Sequence, residues 1–192
     1  MQLHKYDVVE AATAILDAYG IADLTMRRLA KELNVSPGAL YWHFANKQQL
    51  LGAIADRILQ PARDVPAVTD WRERIVAVCS ALRDALLSHT DGAELVSASF
   101  AAGQSQAAGD ILTALSAAAE DAGVPSAEAE LAARTVIYYV LGFTVDEQSK
   151  LQWDSAGVLD PQESVAAIDH DRRFGFGLRL LIDGLGVIST VS

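Results

Sequence analysis

The chain has 192 residues, 25 Asp and Glu against 15 Lys and Arg, a formal net charge of −10 and a single cysteine. A chain of this length buries a core without a metal or a disulfide, and Cys79 has no intrachain partner, so with no charged-then-apolar leader we expect a cytoplasmic protein. The longest uncharged apolar run, Thr135 to Val145, spans 11 residues, too few to cross a bilayer, so no membrane partner is expected.

The charge is unevenly spread. Residues 1–60 carry six Lys and Arg against six Asp and Glu, whereas the remainder carries nine against nineteen. The split predicts two parts with different partners.

In chain order, Val8, Ala11, Ala12, Ile15, Leu16 and Tyr19 share one helical stripe, and Gly20 stands where a C-terminal cap would. Thr25 caps a second helix running to Leu33, with Leu24 and Leu29 as a hydrophobic staple. Asn34 stops that helix by taking left-handed backbone. Ser36 caps a third, with Pro37 at its first position, where a missing N–H costs nothing. A fourth, Lys47 to Gln60, sets Leu50, Leu51, Ile54 and Ile58 on one face and is expected to halt at Pro61, where "PARDVPAVTD" reads as a linker. Further helices are expected near residues 70–89, 92–100, 106–122, 126–153 and 171–189, with residues 154–171 either a loop or one short helix. No stretch alternates with period two, so the fold class is all-α, divided at 1–60 and 61–192.

Residues 25–44 have helix-turn-helix spacing. The first helix needs a small residue where the second crosses it, a turn residue tolerant of positive φ four positions on, and an apolar residue six beyond that. Ala30, Asn34 and Leu40 meet these needs, and Leu29, Leu33, Val35 and Phe44 supply the buried side. Spacing alone leaves an ordinary helical hairpin open. The wider stretch "GIADLTMRRLAKELNVSPGALYWHFANKQQLL" resembles the DNA-binding domain of the TetR family of bacterial repressors.

That resemblance implies a homodimer whose two recognition helices enter adjacent major grooves of a palindromic double-stranded operator. Thr25, Tyr41 and Lys47 stand where the family places phosphate contacts, which fix register without reading sequence. Arg27 is the candidate for a bidentate contact to guanine. Pro37, Gly38 and Ala39 have no side-chain donors and offer only shape and apolar contact. Trp42 and His43 complete the surface, although Trp42 could instead pack on the helix 47–60 and His43 could be a plain surface residue.

Three later stretches, "HTDGAELVSASF", "YYVLGFTVDEQS" and "FGFGLRLLIDGL", are similar to the C-terminal domain of the family's tetracycline repressors. This implies a helical ligand-binding and dimerisation domain. In those repressors the domain holds a magnesium–tetracycline complex, but here the metal-binding histidine is replaced by Val96 and a pocket asparagine by Val78. A pocket glutamine falls near Leu115, a linker histidine on Arg63 and a glutamate on Asp146. Tetracycline is therefore not the expected effector, and no metal or cofactor is expected. What remains is Leu82, Leu95, Val96, Ser99, Phe100, Tyr138, Tyr139 and Phe143, with Asp146 and Glu147 at one end, suited to a small, largely apolar effector. The same side chains could simply fill a helical core.

On the last helix Phe174, Leu178, Leu181, Ile182 and Leu185 form the expected dimer seam, with Gly175, Gly177, Gly184 and Gly186 permitting close approach. Asp146 and Glu147 are adjacent on a helix and point about 100° apart, which disfavours a catalytic pair. His170, between Asp169 and Asp171, reads as an acidic loop or helix start in preference to a metal site, and Cys79 as a buried thiol on an apolar stripe. With no nucleophile or phosphate-loop signature we expect a ligand-responsive transcriptional repressor and no enzyme. The alternatives are a ligand carrier of the same fold without operator binding and a helical enzyme using Asp146 or His170.

Overall fold

The computed structural model describes residues 3–66, 68–158 and 169–191, so much of the expected loop or short helix at 154–171 lies outside the described residues. Among the described residues the structure is entirely helical: α1 Lys5–Tyr19, α2 Met26–Glu32, α3 Pro37–Tyr41, α4 Lys47–Arg63, α5 Trp71–Leu87, α6 Gly92–Ala101, α7 Gln106–Asp121, α8 Ser126–Ser155 and α9 His170–Val191, with one 3-10 turn at Ile21–Asp23.

The N-terminal helices form a small head around Val8, Leu16, Leu24, Leu29, Leu40 and Phe44, all buried. Thr25 caps α2 by accepting a hydrogen bond from the Arg28 N–H at 3.1 Å, and Asn34 turns the chain at φ 53°. Ser36 precedes α3 in extended backbone, but its side chain makes no cap bond, leaving Pro37 to fix the first turn. Tyr19 departs from the expected buried stripe. It is 59 % exposed, because it ends α1 beside the Gly20 turn and its ring lies 3.7 Å from the Arg28 guanidinium.

Helix α4 departs from expectation in length. It continues through Pro61 to Arg63. Proline removes one N–H, but the residue whose carbonyl it would have met, Arg57, is exposed. The turn is kept by the Asp64 N–H donating to the Gln60 carbonyl at 3.1 Å, and it buries Ala62.

This helix packs on α1 in the head and on α5, α6 and α7 in the body. Asp56 on α4 accepts from the Ser105 hydroxyl at 2.7 Å and the Ala107 N–H at 2.9 Å, which fastens α4 to the start of α7. Gly52 lies against the Gln104 backbone so closely that a Cβ there would collide with it.

A second joint connects head and body. The His89 Nδ1 lies 3.0 Å from the Asp17 carboxylate, and the Thr90 hydroxyl donates to the Asp17 carbonyl at 2.9 Å. Asp91, at φ 53°, accepts from the Ile21 N–H at 2.9 Å and from Gln152 at 2.6 Å. Gly20, at φ 78°, lets that carboxylate approach, since a Cβ would sit 2.6 Å from its oxygen.

Inside the body, Arg83 on α5 donates twice to Glu147 on α8, at 2.8 and 2.7 Å, and once to Asp171 on α9, at 2.7 Å. The residues expected at a dimer seam instead pack into the chain's own core. Phe174, Leu178, Ile182 and Leu185 are buried within the chain, and Leu181 is partly buried. Gly177 admits the Tyr139 ring of the same chain, whose hydroxyl donates to the Phe174 carbonyl at 2.7 Å. The more exposed face of α9 carries Phe176, Leu180 and Val187. An apolar stripe wider than one seam hides which of its edges turns inward.

Candidate nucleic-acid interface and ligand cavity

Helices α2 and α3 put their apolar residues behind them and leave one polar and aromatic surface in front. Leu40 is fully buried and Phe44 nearly so, whereas Tyr41 is 51 % and Trp42 91 % exposed. Trp42 therefore does not pack on α4. Thr25, Arg27, Pro37 and Gly38 are exposed, and Ala39, His43 and Lys47 are half-buried. The adjacent arginines differ in kind. Arg28 pairs with Asp23 and covers Tyr19 at 3.7 Å, while Arg27 stands exposed with no ion pair or side-chain hydrogen bond among the described residues. An unspent guanidinium keeps all five donors available for an outside acceptor.

The body offers two volumes that meet. An apolar cavity of about 10 Å³ lies among Leu59, Leu82, Val96, Phe100, Ala108, Ile111, Ile137 and Leu141. It has room for about one water-sized sphere. Next to it a groove of about 240 Å³ runs between the end of α4, α5 and α7, lined by Arg63, Val65, Pro66, Arg74, Val78, Asp110, Ile111 and Ala114. Ile111 lines both. Leu59, Ala108, Ile111, Ile137 and Leu141 were not singled out from sequence. Each lies on a buried helical stripe like any core residue, and only the packing of four helices brings them around one void.

The expected ligand residues do not all gather there. Leu82, Val96 and Phe100 line the cavity. Leu95 and Ser99 are buried on α6, and the Ser99 hydroxyl has no hydrogen-bond partner among the described residues. Tyr138 is 58 % exposed and meets Phe100 edge-on at 6.0 Å. Tyr139 and Phe143 cluster with Phe174 between α8 and α9, at 5.7 and 5.4 Å. Asp146 is exposed and pairs with Lys150 at 2.6 Å, while its neighbour Glu147 turns inward to Arg83. Arg63 pairs with Asp110 at 2.9 Å at the groove rim.

A family model described as bacterial regulatory proteins, tetR family, matches residues 8–54, and a tetracyclin repressor-like C-terminal domain model matches residues 65–188. The chain belongs to the TetR family. Among TetR-family relatives it is similar to the class A tetracycline repressor from transposon 1721 of Escherichia coli, 32 % identical over 96 % of this chain and 91 % of the relative. The crystal structure of Mycobacterium smegmatis BioQ matches with a TM-score of 0.91 and 65 % identity, covering 97 % of this chain and 99 % of that one. A structure of BioQ with its natural double-stranded DNA operator matches with a TM-score of 0.84 and 64 % identity, covering 96 % and 99 %. In general terms, then, this is a ligand-responsive DNA-binding regulator of the TetR type.

Val78, Val96 and Leu115, the positions where the resemblance leads one to expect polar pocket residues, are all buried. Among the described residues no three His, Cys, Asp or Glu side chains are grouped to hold a metal, and no helix is long and apolar enough to cross a membrane. His170 opens α9 as a buried side chain, its Nδ1 3.6 Å from Glu147. Burial pushes the Cys79 thiol up to about 12, which holds it in its unreactive neutral form.

Proposed function

We propose that this chain is a homodimeric repressor that holds a palindromic double-stranded operator with two α2–α3 heads. It is released when a small, largely apolar molecule occupies the space around Ile111. The observation that carries this reading is the one-sided head, with Leu40 and Phe44 turned inward and Arg27, Tyr41 and Trp42 left in solvent. The similarity to BioQ, which has been captured on its operator, supports it. In this reading Thr25, Tyr41 and Lys47 hold phosphates, Arg27 reads a guanine, Pro37, Gly38 and Ala39 follow groove shape, and Trp42 and His43 complete the contact.

The functional units are residues 1–60 and 61–192, with α4 crossing between them. Two exposed apolar stripes suit the dimer. On α8, Leu131, Tyr138 and Val145 are exposed at intervals of seven residues, and on α9, Phe176, Leu180 and Val187 are exposed. Heptad spacing keeps such residues on one side of a helix, so two helices from each protomer form a four-helix seam. A cavity of about 10 Å³ is too small for an effector. A ligand therefore enters by displacing Ile111 or Phe100, and that strain passes to α4 through Leu59. Release requires tighter ligand binding to the non-DNA-binding arrangement, so operator DNA must weaken ligand binding in return.

Selection of bound sequences from random DNA tests the reading. We expect enrichment of one palindrome and loss of preference at a guanine when Arg27→Ala is used. Enrichment of no palindrome would make the chain a ligand carrier instead.

A further inference from the structure

We infer that the effector is a small monocarboxylate with an apolar tail, its head held by Arg63 at the groove mouth and its tail directed past Ile111. The inference rests on the effector-responsive reading above and names the ligand class for it.

Three observations lead here. First, the groove wall is apolar, formed by Val65, Pro66, Val78, Ile111 and Ala114, and its charges stand apart as Arg63, Arg74 and Asp110. Second, the two arginines are unequally committed. Arg74 donates to the Val68 carbonyl at 3.1 Å, the Thr69 carbonyl at 3.4 Å and Asp121 at 2.7 Å, so it is occupied in holding the segment before α5. Arg63 meets only the Asp110 carboxylate among the described residues, through Nε at 2.9 Å. Its two terminal nitrogens are left to grip a second carboxylate in the fork geometry a guanidinium favours.

Third, the Arg63–Asp110 pair is weakly held. Its side chains are 43 % and 42 % exposed, and solvent-exposed ion pairs add little stability, so an incoming carboxylate can share or replace Asp110. The adjoining cavity has no polar lining and accepts hydrocarbon once Ile111 moves. A neutral hydrocarbon would leave Arg63 unused, and a cation would meet two guanidiniums. The groove of about 240 Å³ lies below the usual range for drug-sized ligands, which limits the tail to a short or medium chain.

Octanoate, 1-octanol and octyltrimethylammonium share one tail and differ in head charge. Calorimetric titration of the full chain with each is expected to give octanoate about tenfold tighter binding than 1-octanol, the size of a charge-assisted contact, and no binding of the cation. Arg63→Gln should erase the octanoate preference and Arg63→Lys should retain it, with circular dichroism melts establishing that both fold. Octanoate should also release selected operator DNA from the wild type. Equal binding of octanoate and octanol, preference for the cation, an unchanged preference in Arg63→Gln, no binding of any probe, or binding without operator release each overturns the inference. Operator binding measured without any probe is read separately, so a failure of the regulator reading is distinguishable from a failure of the ligand class.

Discussion

Arg27 and Arg28 are neighbours with the same chemistry and opposite circumstances. Arg28 is held by Asp23 and Tyr19, so Arg28→Ala should lower folding stability by about 1 kcal/mol, measured by urea denaturation, and affect DNA specificity little. Arg27→Ala should leave stability within about 0.5 kcal/mol while weakening specific DNA binding by about 1–3 kcal/mol, read by titration at fixed salt. Cys79 is fully buried, and burial raises its thiol to about 12 from an ordinary 9.0. A group that holds its proton more tightly when folded contributes stability fully present below its unfolded value and lost as pH rises through the folded one. The thiol's share should therefore fade between pH 9.0 and about 12. At pH 8, iodoacetamide should label Cys79 only in proportion to the unfolded fraction set by urea; labelling without denaturant would contradict the burial.

Among the elements, α5, α8 and α9 are joined by one charge cluster, buried at Arg83 and Glu147 and open at Asp171. The Arg83 and Glu147 side chains are 10 % and 6 % exposed. The hydrogen bonds to Glu147 raise the Arg83 pKa, burial opposes them, and Asp171 adds to the rise. Removing one partner leaves an uncompensated buried charge, so Arg83→Ala should cost about 3–5 kcal/mol. Replacing both with Arg83→Met and Glu147→Leu should cost far less, and a double-mutant cycle in urea reads the difference. A large cost persisting in the double variant would mean that packing on Phe143 and Phe174, which lie 5.9 and 5.0 Å from the guanidinium, outweighs the ion pair. Helix α4 has a different role. Its bonds to the α7 start through Asp56 and its close approach at Gly52 fasten it to the body, and in the proposed mechanism it is the element that would carry body rearrangement to the head. The Asp17, His89, Thr90 and Asp91 joint supplies a second connection.

At the scale of the whole molecule, one chain exposes two apolar stripes that a second copy would cover. Leu180→Asp places a charge in the α9 stripe, where Leu180 is 59 % exposed and makes little core contact. It should leave the helical content unchanged, shift sedimentation at micromolar concentration from dimer to monomer, and reduce operator affinity, because one head then makes half the contacts. A variant that remains a dimer would place the seam elsewhere. The charge split adds a salt effect. In the proposed reading the charge-balanced head meets phosphates through Lys47, so affinity should fall with added salt.

The sequence by itself determined the all-helical class, nearly every helix boundary and the head, because local rules act within a few residues: the Thr25 cap, left-handed Asn34, Pro37 at a first turn, and apolar spacing. It misjudged Pro61, where a lost bond at an exposed position is outweighed by burial of Ala62 one residue later. Tertiary structure alone decided which edge of the α9 stripe faces inward, which arginine is spent and which is open, and how the body cavity closes. Those outcomes depend on contacts between residues dozens of positions apart: Gly177 against Tyr139, Arg83 with Glu147, and Ile111 lying between two volumes. Side chains on one buried stripe look alike in sequence, and only the neighbouring helix determines whether each fills a core, borders a cavity or meets a partner.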